Sequence, residues 1–222
     1  MALLIDADDT LWENIRVFHE VNDRFAAWIA PEAPVEFLAF ADTVQRELVA
    51  HHGYGAATFR LSLLETIRRH TGREPDAADT ARVGELVRPF DWQTVDIMPG
   101  VVPTLEALRD RHELHLMTKG DPQEQARKLE VSGLASHFDS VNIVPEKTPD
   151  AYHGVLSAQG LAAGGSWMIG NSPRSDIVPA LEVGMGAVHI PHPETWGHED
   201  GHVPDHDRLL ILHRFVDLLD HF

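Results

Sequence analysis

The sequence predicts an α/β protein in which a doubly wound parallel sheet is interrupted by an inserted block of helices. Three observations carry that prediction. Short apolar runs closed by polar or charged residues recur at Leu3–Ile5, Leu114–Met117, Val141–Val144 and Trp167–Ile169, as expected of strands buried on both faces. Among the later runs, strand-like and helical patterns alternate, which argues for parallel strands joined by right-handed crossovers. Residues 14 to 95, by contrast, show helical spacing with no strand-like alternation.

The first strand ends in Asp6-Ala7-Asp8-Asp9-Thr10. Ligands of open α/β sheets bind just beyond such strand ends. Asp6 and Asp8 flank Ala7, so in an extended chain they project to one side, where two acids repel unless a divalent cation or a shared proton intervenes. Taken alone, the same residues also suit a loop of capping acids that starts a helix at Asn14.

Ile15, Phe18, Val21, Asn22, Phe25 and Trp28-Ile29 then recur at steps of three and four, until Pro31 and Pro34 end the helix. Phe37, Phe40-Ala41, Val44 and Leu48-Val49 continue the spacing on a second helix. Leu61, Leu64, Ile67 and Arg68 suggest a third, and Asp79 to Val87 a fourth. His51-His52-Gly53-Tyr54-Gly55 breaks the pattern between two helices. It reads either as an inter-helix turn or as a substrate-contacting loop, with Tyr54 as a candidate contact. Pro99-Gly100 marks the return, so the expected division is 1–13 with 96–222 for the α/β core and 14–95 for the insertion.

A helix through Val102, Leu105 and Leu108 leads to the second strand and Thr118. In the turn Thr118-Lys119-Gly120-Asp121-Pro122, Lys119 is a second candidate for substrate contact. The next helix is expected from Gln125 to Leu134. The third strand precedes Lys147, and a helix spans Ala151 to Gln159. The fourth strand runs into Gly170-Asn171-Ser172-Pro173-Arg174-Ser175-Asp176, and a helix is expected from Asp176 to Val183. Ala187 to Pro191 and Leu209 to Leu212 read as further strands, and Phe215, Leu218 and Leu219 as a last helix. Six histidines, His189, His192, His198, His202, His206 and His213, invite a zinc reading. Their best series, His198, His202 and His206, is interrupted by Gly201 and Pro204, so a solvated loop is expected.

The formal charge of −17 over 222 residues argues against a nucleic-acid polymer as partner, since phosphate backbones need clustered Lys and Arg. It leaves room for a small phosphorylated metabolite, because a metal and a local cation reverse the field inside a pocket. With no cysteine, no disulfide framework exists. The first residues enter a strand directly, so neither a signal peptide nor a membrane span is expected and a cytoplasmic location is the default.

Asp6-x-Asp8-x-Thr10, Thr118, Lys147 and Gly170-Asn171 with Asp176 occur in the order of the four motifs of the haloacid-dehalogenase-like (HAD) hydrolases. From residue 3 to about 191 the chain resembles that superfamily. The resemblance implies a Rossmann-like core with a helical cap that closes over the core site. It implies Asp6 as a nucleophile forming an aspartyl-phosphate, and Asp8 as acid and then base. Thr118 would donate to a phosphoryl oxygen, and Lys147 would hold the Asp6 carboxylate and the developing charge. Mg²⁺ would be bound by Asp6, Asp8 through its carbonyl, Asn171 and Asp176. Asn171 departs from the pattern, since it stands where a metal-binding Asp is common, and it removes one charge. Asp176 serves either as a metal ligand or as a helix N-cap. Asp8 favours a phosphatase over a dehalogenase, which has no need of an acid/base there. A phosphomutase using the same motifs and a catalytically weak phosphate-binding or interaction protein remain as alternatives.

Overall fold

A computed structural model describes residues 1–194, 196–197, 199 and 201–222. The chain divides into two compact units, 1–15 with 94–222, and 16–93.

The first unit is built on a six-stranded sheet. Its strands are β1 (Ala2–Ile5), β2 (Glu113–Lys119), β3 (Ser140–Val144), β4 (Ser166–Gly170), β5 (Gly186–His189) and β6 (Leu209–Ile211). They lie in the order β3-β2-β1-β4-β5-β6 and every pair is parallel. The sequence order reverses at β1, and such a switch point leaves a crevice outside the strands' carboxyl ends. The Asp6 amide donates to the Ile169 carbonyl at 2.9 Å, so the backbone ladder carries the chain one residue past β1 and delivers Asp6 to that crevice.

Alternation along the strands sorts the core into two layers. Leu3, Ile5, Leu114, Leu116, Ile169 and Val188 are buried together with Val101, Leu105 and Leu108 of helix α5 (Val101–Arg109) and with Phe215 and Leu218. Leu4, Met117 and Met168 pack with Tyr152, Val155 and Leu156 of helix α7 (Pro149–Gln159) and with Ala180 of helix α8 (Val178–Glu182). Helix α6 (Pro122–Ser132) starts at Asp121, whose carboxylate accepts the amides of Gln123 and Glu124, and ends at Gly133 in the left-handed region. Phe215–Asp220 is helical as expected, but as a 3₁₀ segment.

The second unit holds helices α1 (Ile15–Ile29), α2 (Pro34–His52), α3 (Ala56–Thr71) and α4 (Ala77–Leu86). Pro34 opens α2, where its missing amide costs no hydrogen bond. Phe18 meets Phe59 and Phe90 with ring centroids 4.9 and 4.5 Å apart, and Phe25 meets Phe37 at 5.3 Å. The buried face of α3 differs from the expected stripe of Leu61, Leu64, Ile67 and Arg68. It comprises Thr58, Phe59, Ser62, Leu63, Thr66 and Ile67, while Leu61 is exposed. Ser62 and Thr66 donate to carbonyls one turn back in their own helix, both at 2.7 Å, and so enter the core without an unpaired hydroxyl. Among the described residues, no helix is long and apolar enough to cross a membrane.

Candidate active site

Asp6, Thr10, Thr118, Lys147, Asn171 and Asp176 are all buried around the carboxyl ends of β1, β2 and β4. At the centre is Lys147. Its ammonium donates to Asp6 Oδ1 and, at 2.7 Å, to Asp176 Oδ1. Two buried carboxylates thus share one ammonium. Burial is the main cause that pushes the Asp6 carboxyl up to about 7, with Asp176 adding to it against the pull of Lys147. Burial would depress the Lys147 ammonium, but Asp176 and Asp6 outweigh it and hold the pKa above the ordinary lysine value. Thr10 completes the Asp6 side, placing its hydroxyl 3.1 Å from Asp6 Oδ2 and 3.3 Å from Asn171 Oδ1.

Asp8 has a separate set of partners. The Lys128 ammonium lies 2.7 and 2.8 Å from its two oxygens, and the Gln125 amide and the Trp12 indole donate at 2.8 Å each. Burial alone would raise the Asp8 carboxyl, yet Lys128 first, then Gln125 and Trp12, bring it below the ordinary carboxylate value. The pairing expected of a cation or a shared proton falls in this structure to Lys147, shared with Asp176, for Asp6 and to Lys128 for Asp8. The chain turns after Asp8, which bridges to Trp12, and Asp9 takes φ 61°. Asp9 accepts the amides of Asn14 and Ile15 at 2.8 Å each, so the helix-starting role falls to Asp9 alone.

The turn after β4 is shaped around Asp176. Pro173–Ile177 forms a π-turn, in which the Val178 amide donates to Pro173 five residues back. Asp176 does not cap this turn. Ser172 does, accepting the Ser175 amide at 3.1 Å, while Asp176 Oδ2 receives the Ser172 amide at 2.9 Å. A Cβ on Gly170 would lie 2.2 Å from Asp176 Oδ2, so the carboxylate occupies space that only glycine leaves. Tyr152 donates to the Ser175 carbonyl at 2.9 Å. His189 Nε2 lies 3.0 Å from the Asn171 carbonyl, and burial favours its neutral form. His189 lies in β5, within the strand expected from Ala187 to Pro191, and the side chain of His192 is 5% exposed. His198 lies outside the described residues.

Asp6, Asn171, Asp176 and the carbonyl of Asp8 offer hard oxygens of the kind that hold Mg²⁺. Two buried carboxylates to one ammonium leave an uncompensated charge that suits a cation. The Asp8 carboxylate is committed to its three donors. A different group, Asp9, Glu13 and His192, brings one ligand atom from each within 4.8 Å.

Of the remaining site residues, Lys119 follows Thr118 and donates to Ser175, Glu146 and Glu199 at 2.8, 3.2 and 2.6 Å. Tyr54 lies in the helical unit at the junction of α2 and α3, half-buried. Sequence reasoning missed Gln125, Lys128, Tyr152, His189 and Glu199. Gln125, Lys128 and Leu129 form the buried face of α6. A lysine on an apolar stripe at the i, i+3 spacing was the available signal for the Asp8 partners.

A doubly wound parallel sheet with a buried, lysine-held aspartate just beyond its first strand defines the chain as an α/β protein with its site at the topological switch point. The chain belongs to the haloacid dehalogenase-like hydrolases, matching that family over residues 1–184. It is 30% identical to a solved haloacid dehalogenase-like family hydrolase from Xanthomonas campestris, covering 98% of this chain and 92% of that one with a TM-score of 0.83. A phosphoserine phosphatase of Thermus thermophilus is 29% identical over 85% of this chain and 87% of its own. The N-acylneuraminate-9-phosphatase of Mus musculus is 30% identical over 57% of this chain, and the match spans about half of that phosphatase (52%). The protein is a hydrolase of this family, similar to these phosphatases.

Proposed function

We propose that the protein is a Mg²⁺-dependent phosphatase that hydrolyses a small phosphorylated metabolite through an aspartyl-phosphate on Asp6. The observation that carries this reading is Lys147 between Asp6 and Asp176, with Thr118 buried on β2, the strand paired with β1. Bound by Asp6, Asn171, Asp176 and the Asp8 carbonyl, the ion would neutralise phosphoryl oxygens and bring the Asp6 carboxyl into its ionised form.

Asp6 attacks phosphorus, the ester P–O bond breaks and the alcohol leaves. Water then attacks the same phosphorus, releasing phosphate and restoring the Asp6 carboxylate. Thr118 donates to a phosphoryl oxygen, and Lys147 holds Asp6 in line and offsets charge that develops on the transferred group. Asp8 is arranged as the base for the second step, since Lys128, Gln125 and Trp12 hold it ionised. To act as the acid in the first step it must take up a proton against Lys128. That pairing favours, as a second reading, a catalytically weak phosphate-binding protein.

A panel of phosphomonoesters assayed for phosphate release with Mg²⁺ and with chelator separates the two. Metal-dependent release by the native chain and none by Asp6→Asn is expected. Release no greater than that of Asp6→Asn across the panel would favour the binding-protein reading.

A further inference from the structure

We propose that Lys119, Ser172 and Ser175 form a carboxylate-binding subsite beside the phosphoryl site, and that the side chain of Glu199 fills it until a carboxylate carried by the substrate displaces it. That the displacing group belongs to a substrate rests on the phosphatase reading. The subsite itself does not.

Glu199 Oε1 receives the Lys119 ammonium at 2.6 Å, while Oε2 receives the Ser175 hydroxyl at 2.7 Å and the Ser172 hydroxyl at 2.9 Å. Both carboxylate oxygens are therefore met by donors. Burial would raise the Glu199 carboxyl, but Lys119 and the two hydroxyls outweigh it and keep the group ionised. The donors come from fixed elements. Lys119 ends β2, and Ser172 and Ser175 belong to the turn that positions Asp176. Glu199 comes instead from the connection between β5 and β6, outside both strands.

The donor set is also adjacent to the chemistry. Lys119 is the residue after Thr118 and Ser175 the residue before Asp176, so each has its Cα about 3.8 Å from that of a phosphoryl-site residue. A phosphomonoester with a carboxylate a few bonds from phosphorus would reach both places. Lys119 also meets Glu146 at 3.2 Å, so it keeps one counter-charge when Glu199 leaves. The Ser175 hydroxyl would then lose its acceptor in a part-buried place, while Ser172 keeps the Glu199 carbonyl at 3.0 Å and the ammonium keeps Glu146 and Ser175. A second carboxylate replaces Glu199 group for group, accepting from the ammonium and from both hydroxyls through two charged oxygens, whereas a neutral alcohol offers one uncharged oxygen in their place.

The test is isothermal titration of malonate into the full chain, comparing native, Glu199→Ala, Glu199→Gln and the double variant Glu199→Ala with Lys119→Met. A tethered carboxylate competes at an effective concentration in the millimolar range, so Glu199→Ala should tighten malonate binding by about tenfold. Glu199→Gln should tighten it less, and adding Lys119→Met should remove the gain, which locates the binding. In parallel, the ratio of kcat/KM for phosphoglycerate to that for glycerol phosphate, esters differing in the carboxylate, should rise in Glu199→Ala. Malonate affinity unchanged in both folded single variants would overturn the proposal. Unfolding of both would overturn it equally, by making Glu199 a strut. If no form hydrolyses either ester while malonate binding responds as expected, the phosphatase reading fails and the subsite stands.

Discussion

Asp6→Asn should stabilise the metal-free protein at neutral and mildly alkaline pH while abolishing hydrolysis. Asp6 and Asp176 are buried with Lys147 as their shared cation. Neutralising Asp6 leaves a balanced pair, and the amide oxygen still accepts from Lys147. In the folded chain the Asp6 carboxyl is held up to about 7 against an ordinary 3.8, so the folded state binds its proton more tightly than the unfolded state does. The resulting stability is full below the lower value and is lost as pH rises through about 7. That interval sets a ceiling of ~4 kcal/mol, at ~1.4 kcal/mol per pH unit. Relaxation of the buried site reduces the expected loss between pH 5 and 8 to ~1–2 kcal/mol. Urea unfolding in chelator at stepped pH measures it as the difference between native and variant. Asp9, raised to about 6, is present in both chains and cancels. A flat difference from pH 5 to 8, or a variant less stable than native at pH 8, would refute the account of Asp6 as a buried acid short of positive charge. Mg²⁺ should raise the native unfolding midpoint and have little effect on the variant.

Lys128→Met should cost ~3 kcal/mol of stability, since it leaves the part-buried Asp8 carboxylate without its cation. It should also depress phosphate release, read by denaturant unfolding alongside the ester assay. Gly170→Ala places a methyl where Asp176 Oδ2 lies. It should weaken Mg²⁺ binding by tenfold or more with the far-ultraviolet circular dichroism unchanged, and a native Mg²⁺ midpoint would show that the carboxylate shifts at no cost. Asn171→Asp adds a charged ligand and should lower the Mg²⁺ midpoint of activity severalfold. An unchanged midpoint there, with a large loss in Asp176→Asn, would leave Asn171 shaping the turn while Asp176 anchors the ion.

The order of strands and helices was legible because it depends on local patterning. Runs such as Leu3–Ile5 are apolar on both faces, and Pro34 marks a helix boundary by backbone geometry that needs no tertiary partner, whereas the helix expected from Gln125 to Leu134 runs past Gly133, where α6 ends. The α3 face was misread because hydrophobicity alone ranks Leu61 above Ser62. Hydroxyls that bond back to their own helix reverse that order.

The sequence by itself determined which residue types end which strands: Asp6 after β1, Thr118 in β2, Lys147 after β3 and Asp176 after β4. Those positions follow from short-range periodicity and from four ordered motifs. Only the tertiary structure decided the pairings. Lys147 serves Asp6 and Asp176, Lys128 takes Asp8 from 120 residues away, and Glu199 reaches Lys119 across 80. Charge pairing acts through space, and a linear pattern does not record which lysine a folded sheet brings to which carboxylate. Asp8 shows the difference. Its place in the motif implies an acid and a base, while the three donors around it hold it ionised.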